Sequence, residues 1–295
     1  MAIKQRAELR VHTKMSEMSG VSNADDYLKR AKDAGIYAVA FTDTKTVQAC
    51  MEATENPVKQ IYGIDIGYTL LARTSEGIKE INIINSKLNS QYDLTDKQKK
   101  EFISAGRKHL FIGSGCESVF YYTALSGNIA KLKEDAKFFD YIEICPGMDK
   151  DAVRVITDIA EELDIPVCAV SNAYCASADD VIMHRIIRNG EGCNHMFTAD
   201  EMAAEFSYLG EKTVHEAVIK NPREICGGIM FDASDFAKTL PERIIFRTGR
   251  SLQDIAYANV SRYGTDLPKA SLNFRTYTAS THGRECTPRR RPISR

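Results

Sequence analysis

The chain has 295 residues, 43% hydrophobic and 27% charged, a balance that gives a soluble globular protein enough length to bury one large core or two small ones. No apolar run approaches the roughly 20 residues that span a bilayer, and Met1-Ala2-Ile3-Lys4-Gln5-Arg6 lacks the apolar segment of a secretory signal, so a cytoplasmic protein with no membrane contact is expected. A formal net charge of -1 excludes a global basic field of the kind that non-specific nucleic-acid binding uses.

Residues 8–12 and 37–43 read as strands, and between them Ser22-Asn23-Ala24-Asp25 opens a helix that Gly35 closes. A helix over 46–55 follows, then three short strand-like runs, 60–64, 68–72 and 80–84, punctuated by Gly63, Gly67 and Gly77. Residues 87–107 are polar and helical. After them come a strand at 109–113, helical residues 117–138, a strand at 141–145, a helix over 149–163 and a strand at 166–171. Such alternation predicts an α/β fold with mainly parallel pairing and ligands at the carboxyl ends of the strands. From Ser177 the pattern is helical only, with a capping box at Thr198-Ala199-Asp200-Glu201 and a last amphipathic helix over 251–263. Residues 276–295 are rich in Thr, Ser, Pro and Arg, which predicts a disordered basic tail with at most a weak nucleic-acid contact.

The eight cysteines are scattered with no CxxC pair, a pattern of reduced and mostly buried thiols. His184 and His215 lie in helical patterns without ligand-spaced partners and read as packing or surface histidines. Gly113-Ser114-Gly115 is too short for a phosphate loop and lacks its Lys. Tyr121-Tyr122 reads as core.

Several segments carry a resemblance when taken together. They are Arg10-Val11-His12-Thr13, Met15-Ser16-Glu17-Met18, Thr42-Asp43-Thr44, Val47-Gln48, Tyr62-Gly63-Ile64-Asp65, Ile112-Gly113-Ser114-Gly115-Cys116, Phe138 to Glu143, Leu163 to Val167, Ser171-Asn172-Ala173-Tyr174 and Phe206-Ser207-Tyr208-Leu209-Gly210. In this order they resemble the PHP (polymerase and histidinol phosphatase) module of the PolC-type DNA polymerase III alpha subunit, over roughly residues 6–270. The resemblance implies a distorted seven-stranded PHP-type β/α barrel over residues 1–175, an all-helical segment over 176–275 like the lead-in to the polymerase thumb and palm, and the tail.

The family's first strand ends His-x-His-Thr and its second Thr-Asp-His, so the resemblance implies a site of two or three divalent metals that generate a hydroxide to attack a phosphoester. Carried over by position, His12, Asp43, Asp65, Cys116, Cys145 and Asn172 remain metal-capable. Arg10, Ser19, Thr44 and Tyr174 stand where ligands are lost. Arg10 matters most, because a guanidinium stays protonated and puts a fixed positive charge where a cation would sit; it is expected to pair with Asp43 or Asp65. No cofactor is expected, the alternative being one divalent Zn, Mn or Fe.

Two further departures are implied. Asp65 runs directly on into the next strand, leaving no room for the proofreading exonuclease that PolC-type chains insert there, and no polymerase palm follows residue 275. The function expected is a non-catalytic scaffold or interaction module linked to DNA replication, a fragment or paralogue of the polymerase, with other polymerase III subunits or a separate polymerase chain as partners. The alternative is a free-standing metal-dependent PHP phosphoesterase or weak 3'–5' exonuclease.

Overall fold

The computed structural model describes residues 6–16, 19–52, 56–90, 95–189, 193–230 and 232. The helix expected over 251–263 and the basic tail lie outside these residues. The strands are β1 (Ala7–Val11), β2 (Ala38–Phe41), β3 (Lys59–Asp65), β4 (Thr69–Ala72), β5 (Leu110–Gly113), β6 (Ile142–Ile144), β7 (Val167–Ala169), β8 (Ala173–Cys175) and β9 (Asn194–His195). Seven of them form one sheet in the order β5-β4-β3-β2-β1-β8-β9, and β6 pairs with β7 as a separate parallel ribbon.

Pairing is parallel around β1, β2, β3, β8 and β9, as expected, but β3, β4 and β5 run antiparallel. For β3 and β4 the cause is chain length: only Ile66, Gly67 and Tyr68 separate them, too few for a crossover, and Gly67 adopts a φ of 89° that the reversal requires. The β6–β7 ribbon meets β5 through a lone bridge, Gly113 to Tyr141. On its other side it meets β1 through side chains, with Arg6 Nη2 donating to the Ala169 carbonyl at 3.2 Å and Ser171 N donating to Glu8 Oε1 at 3.0 Å. The hydrogen-bonded ladders of the described residues therefore do not form a continuous closed ring.

The helices up to the end of β7 are α1 (Ala24–Asp33), α2 (Ala49–Glu52), α3 (Ser75–Ser90), α4 (Asp96–Gly106), α5 (Val119–Leu125), α6 (Ile129–Ala136) and α7 (Lys150–Glu162). Asn23 and Asp26 form the capping box that starts α1. The strand expected at 80–84 is instead the middle of α3. Ile78, Ile81, Ile84 and Leu88 are buried while Ile83 is 48% exposed, so the apolar positions follow a helical face, and the local alternation Ile81-Asn82-Ile83 misleads. Helical residues 117–138 divide into α5 and α6 at Gly127, whose φ of 71° ends the first helix.

Beyond β8 lie α8 (Val181–Ile187), α9 (Ala199–Glu205), α10 (Glu211–His215), a π-helical turn over Glu216–Lys220 and α11 (Asn221–Gly227). This region is not purely helical, since β9 adds a strand to β8. Thr198 and Glu201 form the expected capping box. His215 is exposed and His184 buried against Tyr174, with ring centroids 5.6 Å apart. Tyr121 is half-buried, but Tyr122 is 59% exposed and not core.

Apolar side chains gather in two clusters. One packs helices on the sheet and includes Val11, Tyr27, Leu28, Phe41 and Ile64; the other includes Ala7, Leu9, Ala40, Ile61, Leu71, Tyr141, Val170, Ile225 and Ile229. Leu9 and Val11 fall in different clusters although strand period would put them on one face. The register of β1 on β2 shifts between Glu8 and Val11, and this bulge turns the strand tip.

Candidate metal centre

The bulge delivers Arg10 and His12 to a buried polar site. Arg10 is only 4% exposed, and its guanidinium is held on all sides. Nη2 donates to Asp65 Oδ2 at 2.6 Å, Nε donates to Asn172 Oδ1 at 2.8 Å, and Nη1 donates to Thr69 Oγ1 and lies 3.4 Å from Glu143 Oε2. Asp65 ends β3, Thr69 begins β4, Glu143 is the centre of β6 and Asn172 precedes β8, so one cation ties β3, β4, β6 and the start of β8 to β1. Asn172 adopts a φ of 46°, a conformation asparagine tolerates better than most residues. Burial acts against the Arg10 charge, but Asp65 and then Glu143 outweigh it and raise its pKa further above the ordinary arginine value. Burial raises the Glu143 pKa, with Arg10 opposing the shift.

Asp43 is not part of this pair. Its carboxylate accepts from Thr13 N at 2.6 Å, Thr13 Oγ1 at 2.8 Å and Ser16 Oγ at 2.7 Å, so it pins the turn after β1. Of the two partners expected for Arg10, only Asp65 is engaged. Glu143, Thr69 and the pair Arg6–Glu8 are polar groups that the motif comparison leaves without a role. Their signal is a charged or hydroxyl side chain inside a short apolar strand, as in Tyr141-Ile142-Glu143-Ile144. Thr44 is exposed, its backbone N donating to Ser16 Oγ at 2.9 Å and its backbone bridging Asp65. Ser19 lies in the same turn, its N donating to the Ser16 carbonyl at 3.0 Å.

His12 stacks on Tyr174, with centroids 4.4 Å apart and planes 10° from parallel. Its Nε2 is 3.2 Å from Asn172 Oδ1, an oxygen that already accepts from Arg10, so Nε2 carries the proton and donates. Burial, reinforced by the Arg10 charge, lowers the His12 pKa from 6.5 to about 4. The unfolded chain then binds the histidine proton first, so this group contributes stability in full above pH 6.5 and loses it as pH falls through about 4. At about 1.4 kcal/mol per unit the loss is about 3 kcal/mol. Urea midpoints measured from pH 7 to pH 4 in the wild-type chain and in His12→Asn are expected to diverge at high pH and converge at low pH.

Cys116 is fully buried, with Sγ 3.8 Å from Glu143 Oε2, and burial followed by the neighbouring Cys145 raises its pKa well above the ordinary thiol value. Cys116, Cys145, Asn172 and Tyr174 line one wall of a cleft of about 470 Å³ that also reaches Tyr121, Tyr122 and Cys193. The structure therefore brings together Arg10, His12, Asp65, Asn172, Cys116 and, along the cleft, Cys145. It leaves Asp43, Ser19 and Thr44 in the adjoining turn.

A family model described as PHP domain matches residues 8–162, just over half of the chain. The chain belongs to the PHP domain family. Among curated relatives, the DNA polymerase III PolC-type of Staphylococcus haemolyticus is 27% identical over 240 residues, covering 70% of this chain and 16% of the relative. That of Clostridium perfringens is 31% identical over 232 residues, covering 68% and 16%. That of Staphylococcus aureus is 26% identical over 240 residues, again covering 70% and 16%. The PHP chain thus spans about a sixth of the length of these relatives.

PHP domains are often metal-dependent, and the residues of this PHP site do not fit a metal ion. The Arg10 guanidinium holds Asp65, Asn172 and Glu143, the groups that a cation would draw on. The His12 Nε2 faces the Asn172 amide oxygen at 3.2 Å, and the Asp43 oxygens are taken by Thr13 and Ser16. Among the described residues no group of three or more His, Cys, Asp or Glu side chains is arranged to hold a metal.

Proposed function

We propose that this chain is a non-catalytic PHP module of the PolC-type polymerase lineage, in which an arginine has taken over the structural work of the metal. The observation that carries the reading is the buried contact of Arg10 with Asp65, Glu143 and Asn172. It supplies positive charge where the family's motif has a histidine ligand, and it ties the strands together as a cation would. The same reading takes the fold as a distorted PHP-type barrel whose seams on either side of β6–β7 are closed by the Gly113–Tyr141 bridge and by the Arg6 and Glu8 side chains. Residues 176–275 are read as the lead-in to a polymerase thumb and palm.

The module's role is then scaffolding or interaction in DNA replication, with other polymerase III subunits or a polymerase chain as partners; the PolC-type relatives support this direction. The short β3–β4 hairpin at Asp65–Thr69 agrees with the lack of an exonuclease insertion at that point. No described helix is long and apolar enough to cross a membrane.

A direct test offers the purified chain a chromogenic phosphate ester and a 3'-recessed DNA duplex in the presence of added manganese or zinc. Release of product is expected to match the protein-free control. Hydrolysis that rises with metal and disappears in His12→Ala or Asp65→Asn contradicts the reading and favours a phosphoesterase.

A further inference from the structure

The scattered cysteines do not stay apart in the fold. Cys175 Sγ, at the end of β8, lies 3.5 Å from Cys193 Sγ, the residue before β9. Cys175 is buried, whereas Cys193 is half-buried and lines the cleft beside Tyr174. From this geometry we propose that Cys193 and Cys175 form a peroxide-reactive dithiol, with Cys193 as the nucleophile reached through the cleft and Cys175 as the resolving thiol behind it.

Access and polarity assign the two roles in the same direction. The two sulfurs are in hydrogen-bond contact, and this contact, aided by the positive charge of Arg185, holds the Cys193 pKa below the ordinary thiol value despite burial. The same contact, followed by burial, pushes Cys175 up. A thiolate near the surface beside a protonated buried partner is the arrangement in which the outer sulfur attacks first. Closing 3.5 Å to the length of an S–S bond, about 2.0 Å, moves the two sulfurs by about 1.5 Å between them.

In the first step the Cys193 thiolate attacks the distal oxygen of a hydroperoxide. The O–O bond breaks, an alcohol or water leaves after taking up a proton, and Cys193 becomes a sulfenic acid. In the second step Cys175 sulfur attacks the Cys193 sulfur, the S–O bond breaks, and the hydroxyl leaves as water with the Cys175 proton. Two thiols lose two electrons and the peroxide gains them. The bond fastens β8 to β9, which already pair through Ala173 with Asn194 and Cys175 with His195. Tyr174, between the two paired residues, stacks on His12, so oxidation fixes the strand that flanks the Arg10 site.

The test treats the full, reduced chain with one equivalent of hydrogen peroxide, alkylates the remaining thiols and maps peptides without reduction. The expected product is a Cys175–Cys193 linked peptide, about 2 Da lighter than its two parts and reversed by dithiothreitol. In Cys175→Ser a 1,3-dione probe is expected to label Cys193 as sulfenic acid, and in Cys193→Ser residue Cys175 is expected to stay a free thiol. The wild-type map stands whether or not either variant folds. Three outcomes overturn the proposal: Cys193 left unreacted, Cys193 driven to sulfinic acid with Cys175 still reduced, or a dominant Cys116–Cys145 link.

Discussion

Arg10→Ala is expected to destabilise the fold by about 3–5 kcal/mol at neutral pH, the range for removing one partner of a buried ion pair. The loss has three parts in this site. Asp65 Oδ2 loses a 2.6 Å charge-assisted hydrogen bond, Glu143 is left buried without its cation, and Asn172 Oδ1 loses one of its two donors. Urea titration by circular dichroism measures the effect directly. Its pH dependence identifies the cause. The ion pair contributes stability while Glu143 is ionised; burial raises the Glu143 pKa, so that contribution is lost as pH falls through a range above that of an ordinary glutamate. The gap between wild type and variant is therefore expected to be widest at high pH and to narrow as pH falls and Glu143 takes up its proton. A gap independent of pH points to lost packing instead. Arg10→Met combined with Glu143→Gln and Asp65→Asn is expected to recover much of the loss, because an uncharged set carries no unpaired ion.

The second large effect is expected from Glu8→Gln. Glu8 and Arg6 are both fully buried and meet at 2.7 Å. The Glu8 carboxylate also accepts from Arg10 N at 3.1 Å and from Ser171 N at 3.0 Å. Removing the charge leaves the Arg6 guanidinium with the Ala169 and Phe197 carbonyls, and it turns an amide NH2 toward groups that are themselves donors. A cost of about 3 kcal/mol follows, and most of it should vanish in an Arg6→Met background, giving a coupling of more than about 1 kcal/mol in the double-mutant cycle. Denaturant midpoints of the four proteins supply the cycle. Additive effects mean that the β1–β7 seam is held by something other than this pair.

The first strand shows how much the sequence tells and where it stops. Arg6-Ala7-Glu8-Leu9-Arg10-Val11-His12 alternates polar and apolar as a half-solvated strand does. In the fold every residue of it is buried, because the polar positions meet one another and their partners on β3, β6 and the turn before β8 instead of water. The periodicity is legible from sequence; that the polar face is internal depends on contacts 55 to 163 residues away. The motif order identified the family, and it brought Arg10, His12, Asp65 and Asn172 forward as one site. It did not separate Asp43 from that site, since only the three-dimensional turn shows Thr13 and Ser16 closing on its carboxylate. Glu143 was visible as a carboxylate in an apolar strand without a stated partner. The strand assigned at 80–84 failed for a local reason, because five residues of alternation cannot be told from one face of a 16-residue helix. Antiparallel β3–β4 was open to a simple length argument at Ile66-Gly67-Tyr68, whereas the antiparallel β4–β5 pairing, joined through α3 and α4, was not.

The replacement of metal by arginine is tested most directly by metal content. The purified chain is dialysed with a small excess of zinc, manganese or iron, freed of unbound ion and analysed for elements beside the variant Arg10→His, Thr44→His, Tyr174→His. The natural chain is expected to retain less than about a tenth of an equivalent of any of them, while the variant, with imidazoles restored around Asp65 and Asn172, retains more. A stoichiometric metal in the natural chain contradicts the account, because the same carboxylates cannot hold both the Arg10 guanidinium and the ion.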